Sequence, residues 1–187
     1  MSKTDETTKV HRPALIQPLV SAIDVNPVNW PRAHFDDGIE FAIKETARLR
    51  APTRSSEWRH RVGFAGEVAA ASYFDVSANW EITDDFVGDN GCDFIYEDAR
   101  VEVKTTTSEQ DLELVVPIER VEGADYFVLA KCSSPRELVH LVGWVSRPEL
   151  KVFGYRFDGN IRIDAKYLNP LEPLEMFPDR IRDIQRV

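Results

Sequence analysis

Apolar and polar positions change period several times along this chain, and each change marks an element. Phe35, Ile39, Ala42, Ile43 and Leu49 recur near helical spacing, which predicts a helix over 33–50. Ala51-Pro52-Thr53 breaks it. A second helix is expected to start at Ser55 or Ser56, both good N-cap residues, and to run to Phe74. It carries a run of small residues: Gly63, Ala65, Gly66, Ala69, Ala70, Ala71 and Ser72. Glycine costs a helix about 1 kcal/mol relative to alanine, so this surface predicts close approach by a neighbour, the sheet being the expected one. Downstream the helical period gives way to alternation and short apolar runs. Strands are expected at 80–87, 93–97, 100–106, 125–132 and 138–145. Ser133-Ser134-Pro135-Arg136 reads as the turn joining the last two, and Ser146-Arg147-Pro148-Glu149 as a helix start with proline in its first turn. Leu112 to Pro117 is strand-like, and only Ile118 to Glu122 has helical character. From Tyr155 the pattern is irregular, with short strand candidates at 155–157 and 161–164. This order predicts an α/β fold with a mixed β-sheet. It forms a single domain over 33–187, with its core at 55–145. Residues 1–32, with Pro13, Pro18, Pro27 and Pro31, read as an extended arm. Its Leu15, Ile16, Leu19, Val20 and Ile23 are available to cover the domain or a partner.

Composition narrows the class. A chain of 187 residues, 43% apolar and 10% aromatic, can bury a sizeable core. It contains no run of about 18 apolar residues, and Met1 to Val10 has no apolar segment of the signal-peptide kind. The expectation is therefore a cytoplasmic protein with no membrane partner. Cys92 and Cys132 fit no metal-ligand spacing and read as reduced thiols. The formal net charge of -9 argues by itself against a polyanionic partner. The charge is uneven, however. Lys44, Arg48, Arg50, Arg54, Arg59 and Arg61 face only Glu45 and Glu57 between residues 44 and 61. That strip reads either as a phosphate-contacting surface or as a solvated helical face.

The chemistry concentrates at Gly91-Cys92-Asp93-Phe94-Ile95-Tyr96, Glu97-Asp98-Ala99-Arg100 and Val101-Glu102-Val103-Lys104, a tight β-hairpin. Glu102 and Lys104 are two apart, so on a strand they share a face, while Val101 and Val103 point to an apolar core. Asp93 opens the preceding strand. Two acids and a lysine brought together make a site for a divalent metal and an activated water, the chemistry of phosphodiester cleavage. The plain alternative for Glu102 and Lys104 is a same-face surface ion pair, worth little. Glu67 lies amid the small-residue surface of the second helix. A carboxylate there needs a metal or a cation if it is buried, and is otherwise solvent-facing. Candidate phosphate contacts are Arg54, Arg59, His60 and Arg61 around the second helix, and Thr105 after the lysine. A lone histidine such as His60 is more often structural or simply exposed, and the threonines at 105–107 also simply suit a strand. Trp144 lies in an apolar strand and reads as core rather than as a base-stacking group.

On Gly66-Glu67, on Gly91 with Asp93-Phe94, and on Glu102-Val103-Lys104-Thr105, the chain resembles the PD-(D/E)xK nuclease superfamily, which includes restriction endonucleases and Holliday-junction resolvases. The resemblance runs from Glu57 to Val145. It implies a restriction-endonuclease-like mixed β-sheet flanked by helices and a metal-dependent DNA endonuclease. Asp93, Glu102 and the Val103 carbonyl would ligate Mg²⁺ or Mn²⁺, Glu67 would complete the site, and Lys104 would orient the attacking water. Duplex or branched DNA is the implied substrate, with a homodimer for cutting two strands. The chain departs from the pattern at Cys92, where the motif has proline, and the helix due between the Glu-x-Lys strand and the next is not obvious. With only two cysteines, no iron–sulfur cluster is expected. The competing reading is a catalytically silent nucleic-acid-binding or assembly module on the same fold. A third, an RNA-directed nuclease, has no RNA-binding module to support it.

Overall fold

Helix α1 (Asp37–Arg50) starts where the Asp36 carboxylate accepts the Ile39 N–H at 2.8 Å. Acids in its first turn and arginines in its last suit the helix dipole. Helix α2 (Arg54–Tyr73) is capped at Thr53, whose amide is held by the Ser56 hydroxyl at 3.3 Å. The helix thus begins slightly before the expected serines, and Ser56 acts from inside the first turn. The computed structural model describes residues 30–51, 53–78, 92–132 and 138–171, except the side chains of Arg54 and Ser55. The arm up to residue 29, the strand expected at 80–87, Gly91 and the turn at 133–136 lie outside the described residues.

Among the described residues, eight strands follow or flank these helices: β1 (Arg32–Ala33), β2 (Phe94–Tyr96), β3 (Ala99–Thr106), β4 (Glu113–Pro117), β5 (Tyr126–Cys132), β6 (Val139–Ser146), β7 (Tyr155–Phe157) and β8 (Asn160–Asp164). Helix α3 (Arg147–Phe153) is capped by Ser146 and Glu149 in reciprocal hydrogen bonds. The main sheet has the order β1-β6-β5-β3-β2, and a smaller one the order β4-β8-β7. The fold is mixed α/β: β3 and β5 run parallel, and among the described residues every other strand pairing is antiparallel.

A parallel pair needs a crossover. Here it runs through β4 and a 3-10 turn at Ile118–Gly123 rather than through a full helix. β4 leaves the main sheet and pairs with β8. The segment after Tyr155, irregular by its pattern, thereby becomes two of the three strands of a second sheet. β7 and β8 turn through Asp158 and Gly159, both at positive φ, as a tight hairpin requires.

Alternation along β5 builds both cores. Tyr126, Val128, Ala130 and Cys132 face α2, together with Val101 and Val103 of β3. Phe127 and Leu129 face the small sheet and α3, with Leu114, Ile163 and Leu150. A strand buried on both faces reads as an unbroken apolar run, as Tyr126 to Ala130 does. Trp144 is core, 1% exposed, with its indole N–H donated to the Pro170 carbonyl at 3.0 Å.

Two expectations for the first helix change. It begins at Asp37, because residues 32 and 33 pair with β6 instead. Its buried face is Ile43, Thr46 and Ala47, while Ile39 and Leu49 are exposed. Neither Cys92 nor Cys132 forms a disulfide. Among the described residues, no helix is long and apolar enough to cross a membrane.

Candidate active site

The β2–β3 hairpin turns through Glu97 and Asp98, both at positive φ, a turn whose twist matches its strands. Its register pairs Phe94 with Val101, so one further step sets Asp93 opposite Glu102. The Asp93 amide donates to the Val101 carbonyl at 2.8 Å, and its carboxylate accepts the Val103 N–H at 2.6 Å. Asp93 thus takes over the ladder where β2 ends and is held at the edge of β3. N–H and C=O of one strand residue point to the same side, so the Val103 carbonyl also faces this edge.

Val101 and Val103 are buried against α2, which turns Glu102 and Lys104 to the opposite face of β3. There the Lys104 ammonium pairs with the Glu102 carboxylate. Glu67 stands on α2, on the side of the sheet that Val101 and Val103 cover. Its carboxylate lies 3.7 Å from the Arg50 guanidinium. Both glutamates act on Asp93. Burial, then the charges of Glu67 and Glu102, push the Asp93 carboxyl well above its ordinary value, against the Val103 N–H and the Lys104 charge.

The seating of α2 brings Glu67 into range. A Cβ on Gly66 would stand 2.0 Å from Thr105 Oγ1 and 3.2 Å from the Ala130 Cβ. Glycine is therefore what lets the helix backbone lie on β3 and β5. The Thr105 hydroxyl donates to the Gly63 carbonyl at 3.3 Å. It belongs to this helix–sheet contact and faces away from Lys104.

The basic strip is divided by its partners. Arg48 pairs with Glu45 at 3.0 Å, and Arg61 reaches back to Glu40, also at 3.0 Å, joining α2 to α1. Arg59 and His60 remain on the open side of α2, where they line a pocket with Arg50, Gly63, Phe64 and Glu67. The side chain of Arg54 lies outside the described residues. His140 sits on β6 opposite Arg32, with its ring 6.1 Å from that of Trp30.

The structure thus brings Asp93, Glu102, Lys104 and the Val103 backbone together at one sheet edge, with Glu67 acting across it. Among the described residues, no three His, Cys, Asp or Glu side chains stand within metal-holding range of one another as they lie. Two features escaped sequence reasoning: Arg50 as the partner of Glu67, and the Asp93–Val103 bond. Arg50 belonged to the basic strip, but only the fold-back of α1 on α2 selects it. No family model matches the chain, and neither does any curated protein or solved structure.

Proposed function

We propose that this chain is a metal-dependent DNA endonuclease on a restriction-endonuclease-like fold, hydrolysing phosphodiester bonds of duplex or branched DNA. The observation that carries the reading is Asp93, half-buried at the end of β2, its carboxylate held by the Val103 N–H at 2.6 Å and its place in the register opposite Glu102, which pairs with Lys104. Setting Asp93 beside Glu102, with the charge of Glu67 also raising its proton affinity, is unfavourable for a purely structural role. The donor set suits Mg²⁺ or Mn²⁺, which take hard oxygen ligands and keep several waters. Asp93, Glu102 and the Val103 carbonyl would hold the ion, with Glu67 completing the site. When bound, it would supply charge neutralisation at the phosphoryl oxygens and a more acidic water.

The chain's own residues do the rest. The Val103 N–H orients the Asp93 carboxylate. Lys104, tethered by Glu102, places a positive charge and its remaining donors beside the scissile group, where they position the attacking water and offset charge building in the transition state. The Arg50 pair holds Glu67 in place from behind. Cutting both strands of a duplex calls for two such sites, hence a homodimer.

The second reading, a silent binding or assembly module, draws on the Lys104–Glu102 and Arg50–Glu67 pairs, since they neutralise two of the carboxylates internally. The test is incubation with supercoiled, linear and branched DNA, with Mg²⁺, Mn²⁺ or EDTA, at low and high salt. Metal-dependent cutting is expected for wild type and a loss of at least about 100-fold for Lys104→Ala. A folded wild-type chain that cuts none of these substrates would turn the assignment to the silent module.

A further inference from the structure

Two glycines one turn apart on α2 have different surroundings. Gly66 is pressed against Thr105 and Ala130, whereas a Cβ on Gly63 would meet nothing within 4 Å. Close packing therefore explains Gly66 and leaves Gly63 unexplained. A glycine inside a helix costs about 1 kcal/mol relative to alanine, and here it keeps a space open. That space is a pocket of about 210 Å³ lined by Arg50, Arg59, His60, Gly63, Phe64 and Glu67.

The wall has a regular construction. Arg59, Gly63 and Glu67 follow at intervals of four on α2, as do His60 and Phe64, so they form one continuous helix face. Arg50 enters from the end of α1, with its guanidinium 4.6 Å from the centre of the Phe64 ring and 3.7 Å from the Glu67 carboxylate. Arg59 is exposed and makes no ion pair among the described residues. Two arginines against one glutamate leave the lining positive before His60 is counted, on a chain of formal net charge -9.

We propose that this pocket receives a phosphate group of the nucleic acid. Arg59 and His60 donate to its oxygens, Arg50 divides its planar fork between the phosphate and Glu67, and Gly63 provides the room. The inference rests on the nuclease reading and deepens it: a phosphate held here would fix the strand beside Glu67 without reading its sequence. The phosphate belongs either to an internal phosphodiester or to a 5′-terminal group, which present the same oxygens.

The test is fluorescence anisotropy in EDTA with the full chain and short DNA duplexes carrying 5′-phosphate or 5′-hydroxyl ends, over a range of salt. Gly63→Ala and Arg59→Gln are compared with wild type, with folding verified by circular dichroism. Each variant is expected to bind about tenfold more weakly, and Arg59→Gln to reduce the slope of log affinity on log salt by about 0.9. A wild-type preference for the 5′-phosphate duplex that Gly63→Ala erases would assign the terminal group. Equal weakening on both duplexes would assign an internal phosphate. Folded variants that bind both duplexes like wild type, with an unchanged salt slope, would overturn the pocket. Binding in EDTA needs no cleavage, so the two readings fail separately. A wild type that binds through Gly63 and Arg59 but never cuts with Mg²⁺ sinks only the nuclease. Variants that bind like a cutting wild type sink only the pocket.

Discussion

The same substitution at two positions of one helix should have opposite effects. Alanine at Gly66 puts a methyl 2.0 Å from Thr105 Oγ1, 3.1 Å from the Thr105 Cβ and 3.2 Å from the Ala130 Cβ. Rotating Thr105 relieves the first contact but leaves the two Cβ atoms, which are fixed to β3 and β5 inside the main sheet. Overpacking of this kind costs about 1–3 kcal/mol, and the gain in helix propensity returns about 1 kcal/mol. Gly66→Ala should therefore destabilise by about 1 kcal/mol. Alanine at Gly63 meets nothing, keeps the whole propensity gain, and should stabilise by about 1 kcal/mol. The two variants then differ by about 2 kcal/mol, or about 4–8 °C in Tm for a chain of this size. Thermal and urea unfolding of the full chain, followed by circular dichroism in EDTA, measures both. Thr105→Ala in the Gly66→Ala background should recover part of the loss, because it removes the closest contact. Gly66→Ala unfolding at or above the wild-type temperature would refute the seating of α2 on β3, and with it the route by which Glu67 reaches Asp93.

Asp93→Asn retains an acceptor for the Val103 N–H and removes a charge that burial, Glu67 and Glu102 disfavour. The folded chain binds this proton more tightly than the unfolded one. The group's stabilisation is thus full below about pH 3.9 and lost as pH rises through the raised value. Asp93→Asn should raise Tm in EDTA at neutral pH while ending cleavage; a lower Tm would contradict the electrostatics. His140 is pushed below its ordinary value by burial and then by Arg32 and Lys131, against Glu109. Its neutral form is the folded one, so stability present above about pH 6.5 is lost as pH falls below it. His140→Gln should flatten the fall in Tm between about pH 7.5 and about pH 5.5, and an unchanged fall would rule the residue out as its source. Ser146 accepts the Glu149 N–H and donates to its carboxylate at 2.6 Å. Ser146→Ala should cost about 1–2 kcal/mol by urea unfolding, and no measurable loss would show that the α3 cap is dispensable.

Local pattern alone determined much of this protein. Alternation in Val101-Glu102-Val103-Lys104 separates a core face from a polar one, because successive strand side chains must point oppositely. Ser146 with Glu149 begins a helix where the pattern expected one, through bonds that span three residues; the caps at Asp36 and at Thr53 with Ser56 are equally local, but the expected starts at 33 and at Ser55 or Ser56 missed them. Strands at 94–96, 126–132 and 139–146 were legible because their apolar runs are short, β-branched or aromatic, and bounded by turns. Pattern also put Asp93, Glu102 and Lys104 on one hairpin, since a two-residue turn leaves the register little freedom.

Tertiary structure decided what depends on residues far apart in sequence. Nothing local says that β3 and β5 lie parallel, or that β4 crosses between them to join β8 and β7, since strand pairing is chosen by the whole apolar surface to be covered. The basic strip is uniform in sequence, but the fold assigns Arg50 to Glu67 and Arg61 to Glu40 and leaves Arg59 and His60 beside a pocket. Ion pairs of this kind form only after two helices have docked, and docking is set by apolar burial. Gly63 and Gly66 are the same residue in the same helix, and the helix by itself treats them alike. The sheet beneath one and the open space above the other give them different roles.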